Sequence, residues 1–302
     1  MRIVMGSYDN NFSTALEEFS NILRNQVDKE MMDKLNSMLK QFSSILKKST
    51  TGVPFQFLSE EMKNYISEAQ KSEKLSQAEF EAKYSHEMDI CKQLGQAGWV
   101  VSEHSNHRII SEWFDILSQG KTDDIVSYFE GDKGSMLHNI LRKQEQVYCE
   151  EPFRKYFYNG KDSFENGDYM TSAMYLVALV NARVDYLMKY PPKTKYREKY
   201  SIKGFQTHLH TEFNKTSSFI TKRFLFLDIY PSIIEFLSRL FIDGKYTFEK
   251  EIEPPYINRN WLMHGRSTRV IERYECIQLF NALSAIEFVF SISDKLNKEI
   301  DK

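Results

Sequence analysis

Toward the end of the chain, Ile271, Tyr274, Ile277, Phe280, Leu283, Ile286, Val289, Phe290, Ile292 and Leu296 recur at steps of three and four residues. That spacing is one face of an α-helix, and it predicts a single helix from about Arg269 to Ile300. A stripe of that length is covered only by other elements packed along it, so the fold must supply several long partners. The same stepping runs from Phe12 through Phe19, Leu23, Val27, Met31, Leu35 and Leu39 to Ile45. Between these two segments the chain carries few turn-formers. It has 12 glycines and 7 prolines in 302 residues, roughly half the usual combined share of about 12%. Few turns mean long elements, and the expected fold class is all-α.

The intervening segments read the same way. A polar helical stretch runs from Gln56 to about Gln96, and Gly95 and Gly98 flank a break before an extended piece, GWVVSEHS. Short helices are expected over His107–Leu117, Thr122–Phe129 and Ser135–Cys149, separated by Gly120, Gly131 and Gly134. Glu150-Glu151-Pro152 reads as a boundary between a domain of residues 1–150 and one of residues 151–302, with Pro placed to open a helix. Phe153–Phe164 and Tyr169–Tyr190 follow as a helix pair, with Asp168 as N-cap of the second. Pro191–Lys203 is a loop that carries Lys193, Lys195, Arg197, Lys199 and Lys203 against Glu198, with Tyr196 and Tyr200 interleaved. Helical patterning resumes over Phe205–Phe226 and Pro231–Phe241, and a short helix after Pro254-Pro255 ends at Gly265.

Several function classes fall away. Lys+Arg is 40 against Asp+Glu 42, a net charge of -2, which is not the balance of a globally basic nucleic-acid coat protein. No uninterrupted apolar run approaches the roughly 18 residues of a membrane span, and MRIVMGSYDNNF lacks the form of a secretory signal. Three widely spaced cysteines (Cys91, Cys149, Cys276) make neither a disulfide framework nor a CxxC zinc site. The expectation is a reduced, cytoplasmic protein with no membrane attachment. Phosphate-binding, dinucleotide, zinc-protease and serine-hydrolase motifs are all missing.

What remains is histidine, seven in all. His104 and His107 lie three apart beside Glu103, a pair that can face one metal ion but has no third ligand at the right spacing, so SEHSNH reads as an exposed polar helix start. His208 and His210 diverge on a helix and read as structural. His86 and His138 sit in ordinary helical surroundings. His264 differs. It closes Asn258-Arg259-Asn260-Trp261-Leu262-Met263-His264-Gly265, where Asn260 and His264 share a helix face. Arg259 reaches forward from the neighbouring face with a permanently charged fork. Arg266, Arg269 and Arg273 follow, so Arg259–Arg273 is basic in an otherwise acidic chain. Histidine is also the side chain that exchanges protons near neutral pH.

These residues resemble the HEPN superfamily of all-helical proteins, many of them ribonucleases, whose signature is R-x(4–6)-H with a polar residue after the Arg. Arg259-Asn260-Trp261-Leu262-Met263-His264 matches it without a gap. Upstream, Ser163–Tyr190 is similar to the family's early helix pair, in which a G-x-Y turn opens a helix ending in an acidic residue and Leu. Gly167, Tyr169, Asp185 and Leu187 take those places, with Asp185 where the family more often carries Glu. The resemblance covers roughly Pro152–Lys302. The first 150 residues look in general character like the helical N-terminal regions of bacterial abortive-infection and related defence proteins.

The resemblance implies an N-terminal helical region of unknown role followed by a HEPN-like bundle. Its activity would be that of a metal-independent, cofactor-free endoribonuclease, working as a homodimer that joins two motifs at one cleft. The fitting biological role is a toxin or phage-defence effector held in check by an antitoxin or regulatory partner. RNA would be the substrate, with Arg259, Asn260 and His264 catalytic and Asp185 supporting. Arg266, Arg269, Arg273 and the loop residues Lys193, Lys195, Arg197 and Lys199 would grip phosphates, and Tyr196 and Tyr200 would stack on bases. Two other readings stand beside it. One is a non-catalytic HEPN module binding RNA, nucleotide or protein. The other is a helical scaffold or sensor driven by the N-terminal half.

Overall fold

The computed structural model describes residues 74–187, 213, 222–242 and 252–300. The expected helix over Phe12–Ile45, the basic loop from Pro191 to Lys203 with its lysines, Arg197, Tyr196 and Tyr200, and the pair His208 and His210 lie outside the described residues. Within them the chain is all-α, and no strand occurs among the described residues.

Where one polar helix was expected up to Gln96, two occur. The first, α1 (Gln77–Lys83), opens on a reciprocal cap: Ser76 Oγ accepts from the Glu79 amide, and the Glu79 carboxylate accepts from the Ser76 amide at 2.9 Å. It breaks at Tyr84, and α2 (Ser85–Gln96) follows, burying Met88, Cys91, Leu94 and Gly95. Gly98, at φ +95°, ends α2: the Trp99 amide donates to Leu94 O and the Gly98 amide to Gly95 O. That double closure requires the left-handed backbone that glycine takes freely.

Next come α3 (His107–Ser118), a 3-10 turn (Thr122–Val126) and α4 (Ser127–Val147). As the glycines predicted, α4 is two helical pieces, bent where Gly131–Gly134 leave helical geometry. The helix pair α5 (Phe153–Glu165) and α6 (Tyr169–Leu187) pack side by side, and Asp168 Oδ1 caps α6 by accepting from the Thr171 amide. A π-helical turn (Arg223–Ile229) runs into α7 (Tyr230–Leu240), with Pro231 in its first turn. The one-turn helix α8 (Arg259–Met263) precedes the closing helix α9 (Arg273–Ile300).

α9 is the axis of the bundle. Every residue from Glu275 to Ile286 is buried, not only the apolar stripe. Its stretch Arg273–Ile292 has a mean hydropathy of 1.3 but is 78% buried inside the protein, as a core helix is. α4 and α6 pack on it, and α2 packs on α7. One hydrophobic cluster runs through Trp99, Trp113 and Phe129 to Phe157, Leu176, Phe280 and Ile286. The boundary expected at residue 150 therefore does not divide the core: helices from both sides of it share one interior.

The segment from Trp99 to Asn106 is non-helical, with a turn at Glu103-His104, and it is not an exposed helix start. Trp99, Val100, Val101 and Ser102 are fully buried, and Ser105 nearly so. A buried non-helical backbone must find hydrogen bonds outside itself. α9 supplies them at a matching step of three: Gln278 Nε2 donates to Ala97 O (3.3 Å), Asn281 Nδ2 to Val100 O (2.5 Å), and Ser284 Oγ to Glu103 Oε1 (2.8 Å). From α7, Ser232 Oγ accepts from the Val101 amide. Burial pushes the Glu103 carboxyl up, but His104 Nε2 at 3.3 Å, Lys143 Nζ at 3.7 Å and the Ser284 bond outweigh it and hold the group ionised. Glu103 and His104 are thus a structural pair, and His107 lies exposed at the start of α3. Among the described residues, no three His, Cys, Asp or Glu side chains are grouped to hold a metal ion.

Candidate functional site

The candidate site is a helix of five residues fastened at both ends. At its start Asn258 is the N-cap and is 2% exposed. Its Oδ1 accepts from the amides of Asn260 (3.0 Å) and Trp261 (3.2 Å). Its Nδ2 donates to Arg239 O (3.4 Å) and Ile242 O (3.3 Å), carbonyls at the carboxyl end of α7. At the other end Gly265, at φ +65°, lets the Arg266 amide donate to Trp261 O and the Gly265 amide to Leu262 O. The same two-bond closure that ends α2 therefore ends α8. His264 is the last residue before that turn, and it is exposed. Trp261 and Leu262 face inward and hold the helix to the core, as their apolar side chains predict.

Arg259 and Asn260 are joined directly. Arg259 Nη1 donates to Asn260 Oδ1 at 2.8 Å, while Asn260 Nδ2 donates to Ile242 O at 3.2 Å. A reversed amide would set its oxygen against a carbonyl, so the backbone of α7 dictates which way Asn260 presents its acceptor. The side chain of Asn260, a residue expected to be catalytic, aims the guanidinium of Arg259, which stays half-buried.

The loops on either side of α8 are clasped by Glu253. Its carboxylate accepts from Ser267 Oγ (2.5 Å), the Thr268 amide (2.9 Å) and Thr268 Oγ1 (3.0 Å). Partial burial pushes this carboxyl up, and the hydrogen bonds from Ser267 and Thr268 outweigh it, leaving it below its ordinary value. A depressed carboxyl stabilises the fold above its unfolded value, about 4.3, and that contribution disappears as pH falls through the folded value. Glu253→Gln is expected to cost about 1 kcal/mol at neutral pH. Urea unfolding at pH 7 and at pH 3 checks it: the difference from wild type should shrink at the lower pH, and an undiminished difference would refute the clasp.

The following arginines differ in what they hold. Arg266 is exposed beside His264. Arg269 forks onto the buried Glu275 with bonds of 3.0 and 2.5 Å, and Glu275 also accepts from the Glu272 amide at the start of α9. Arg273 lies over the Phe164 ring at 4.2 Å and bonds Glu130 at 2.5 Å. Arg269 and Arg273, expected to grip phosphates, are engaged with the protein's own carboxylates. Asp185 is half-buried on α6, the helix on which α8 packs, and its Oδ1 makes no hydrogen bond in the described structure.

Sequence reasoning brought together Arg259, Asn260, His264 and Arg266, and the structure sets them on and just beyond one helical turn. It missed Asn258 and Glu253. An Asn directly before a short apolar helix is a legible N-cap signal, whereas the Glu253 clasp spans 14 residues of irregular chain and has none. Against family models, curated proteins and solved structures the chain finds no match, and the chemistry of this capped turn is what bears on function.

Proposed function

We propose that the chain is a metal-independent endoribonuclease of HEPN type that acts as a homodimer, in the role of a toxin or abortive-infection effector. The observation that carries this reading is the capped turn itself. It presents an exposed His264 and an aimed Arg259 guanidinium on a five-residue helix fastened at both ends.

The chemistry follows from these groups. His264 of one chain takes the proton from an RNA 2′-hydroxyl as its oxygen bonds to the adjacent phosphorus. The phosphorus–5′-oxygen bond breaks, and the His264 of a second chain, protonated, delivers a proton to the leaving 5′-oxygen. The products are a 2′,3′-cyclic phosphate and a 5′-hydroxyl, so no metal is needed to balance the step. Arg259 offers two N–H groups to the non-bridging oxygens, where negative charge accumulates in the transition state. Arg266 adds positive charge at the mouth.

One such motif per chain calls for two chains, and the surface around α8 suits that. Of the seven large apolar side chains most exposed among the described residues, four (Ile242, Ile252, Met263 and Val270) belong to residues 242–270. A second reading, a non-catalytic module in its protein-binding form, is favoured by the engagement of Arg269 and Arg273, which leaves fewer cations for phosphate. The two readings separate on one experiment. Purified protein is incubated with total RNA and with tRNA in excess EDTA, beside His264→Ala. Wild type is expected to leave cyclic-phosphate ends, and His264→Ala to be slower by at least about 100-fold. Equal cleavage by both, or none by wild type, would remove the ribonuclease reading.

A further inference from the structure

We propose that Asn258 is a positioning residue for the reaction, setting Arg259 and His264 by tying the one-turn helix α8 to the carboxyl end of α7. The proposal rests on the ribonuclease reading above and concerns a residue outside the R-x4-H pattern.

Both ends of the Asn258 side-chain amide and the residue's own carbonyl are used. Its Oδ1 takes two amides of α8, its Nδ2 serves two carbonyls at the end of α7, and its own carbonyl accepts from the Leu262 amide at 3.0 Å. It is 2% exposed, so none of these bonds competes with water. One of them converges with a bond from Asn260 on a single atom, because Ile242 O accepts from both asparagine side chains. The line from α7 to the guanidinium is therefore continuous: Ile242 O, Asn260, Arg259.

The lever is short and stiff. Five residues at about 1.5 Å each make α8 about 7.5 Å long. A tilt of about 10° at Asn258 then moves its far end, where His264 sits, by about 1 Å, a displacement that can cost about 100-fold in rate. Packing of Trp261 and Leu262 resists translation, but a single turn has no neighbouring turns to resist rotation about that anchor. The Asn258 tie supplies that resistance.

The residue type is also specific. Serine caps a helix but offers no second group to Arg239 O and Ile242 O. Aspartate caps it and sets a carboxylate oxygen against those carbonyls. Both keep α8 and lose the tie.

The test is steady-state cleavage of a single-stranded RNA oligonucleotide in EDTA by full-length wild type, Asn258→Ser, Asn258→Asp, His264→Ala and Ser284→Ala. Ser284→Ala serves as a comparator that loses a buried hydrogen bond, to Glu103, in which α8 takes no part. Asn258→Ser and Asn258→Asp are expected to lower kcat about tenfold or more, with KM within about threefold. Ser284→Ala is expected to cleave like wild type. Because Asn258 sets Arg259 as well as His264, Asn258→Ser should cost less in an Arg259→Ala background than it does alone, whereas a smaller folded fraction would multiply through unchanged. Wild-type kcat in both Asn258 variants, or full additivity with Arg259→Ala, overturns this proposal alone. Cleavage by His264→Ala equal to wild type, or no cleavage by wild type, overturns the ribonuclease reading and this proposal with it.

Discussion

Glu287→Ala is expected to lower the stability of the bundle by about 3–5 kcal/mol, the range for breaking one side of a buried ion pair. Glu287 on α9 receives two parallel bonds from Arg183 on α6, at 2.5 and 2.7 Å, and a third from the Tyr148 hydroxyl at 3.1 Å. The Arg183 side chain is 10% exposed and that of Glu287 12%. The guanidinium lies over the Phe153 ring at 4.6 Å and faces the Tyr148 ring at 5.7 Å. Removing the carboxylate strips the guanidinium, which lies among aromatic faces, of the two bonds that Glu287 accepts, and it takes away the acceptor of the Tyr148 hydroxyl. Burial, with the Glu287 charge beside it, already pushes the Tyr148 hydroxyl well above the ordinary tyrosine value. Urea unfolding of Glu287→Ala measures the loss. The double replacement Arg183→Met with Glu287→Leu is expected to recover most of it, because the large cost is a buried charge that has lost its carboxylate and not the absence of the pair. A single variant as stable as wild type would show that the pair is solvated.

Gly95→Ala is expected to cost about 3 kcal/mol, at the upper end of what forcing an extra methyl into a packed interior costs. A Cβ there would lie 2.2 Å from Ser232 O, 2.8 Å from its Cα and 2.9 Å from its C. All three are backbone atoms of α7, so no side chain can turn aside, and α2 and α7 must separate. The separation also pulls Ser232 Oγ away from the Val101 amide, loosening the buried segment that α9 holds. Gly131→Ala is the control. It has φ -59° and open space where a Cβ would go. Thermal unfolding of the two variants should differ by most of the predicted cost, and equal midpoints would mean that α2 and α7 are not in close backbone contact.

Much of the helical layout was legible because it depends on neighbours along the chain. The apolar stripe of α9, the bend at Gly131–Gly134, the Asp168 cap and the stop at Gly265 all follow from local steric and hydrogen-bonding rules. Each is settled within a few residues. The division of α1 from α2 was not legible, since Tyr84 carries no breaker signal.

The candidate site divides in the same way. Arg259, Asn260 and His264 were brought together by helical spacing, and a helix did form there. Which arginines pair with the protein's own carboxylates was not decided locally. Arg269 and Arg273 lie in the same basic run as Arg266, yet Glu275 and Glu130 engage them. Glu130 comes from a helix 143 residues away.

By itself the sequence determined that the described residues are helical, where most of their helices start and stop, and which turn carries the Arg–Asn–His set, because period and capping are short-range properties. Only the tertiary structure decided that residues on both sides of 150 share one core, that Gln278, Asn281 and Ser284 face a buried strap and not water, and that Asn258 ties α8 to α7. Those outcomes depend on which distant backbone carbonyl or carboxylate comes to lie opposite each polar side chain. A one-dimensional pattern of polar and apolar residues does not encode that.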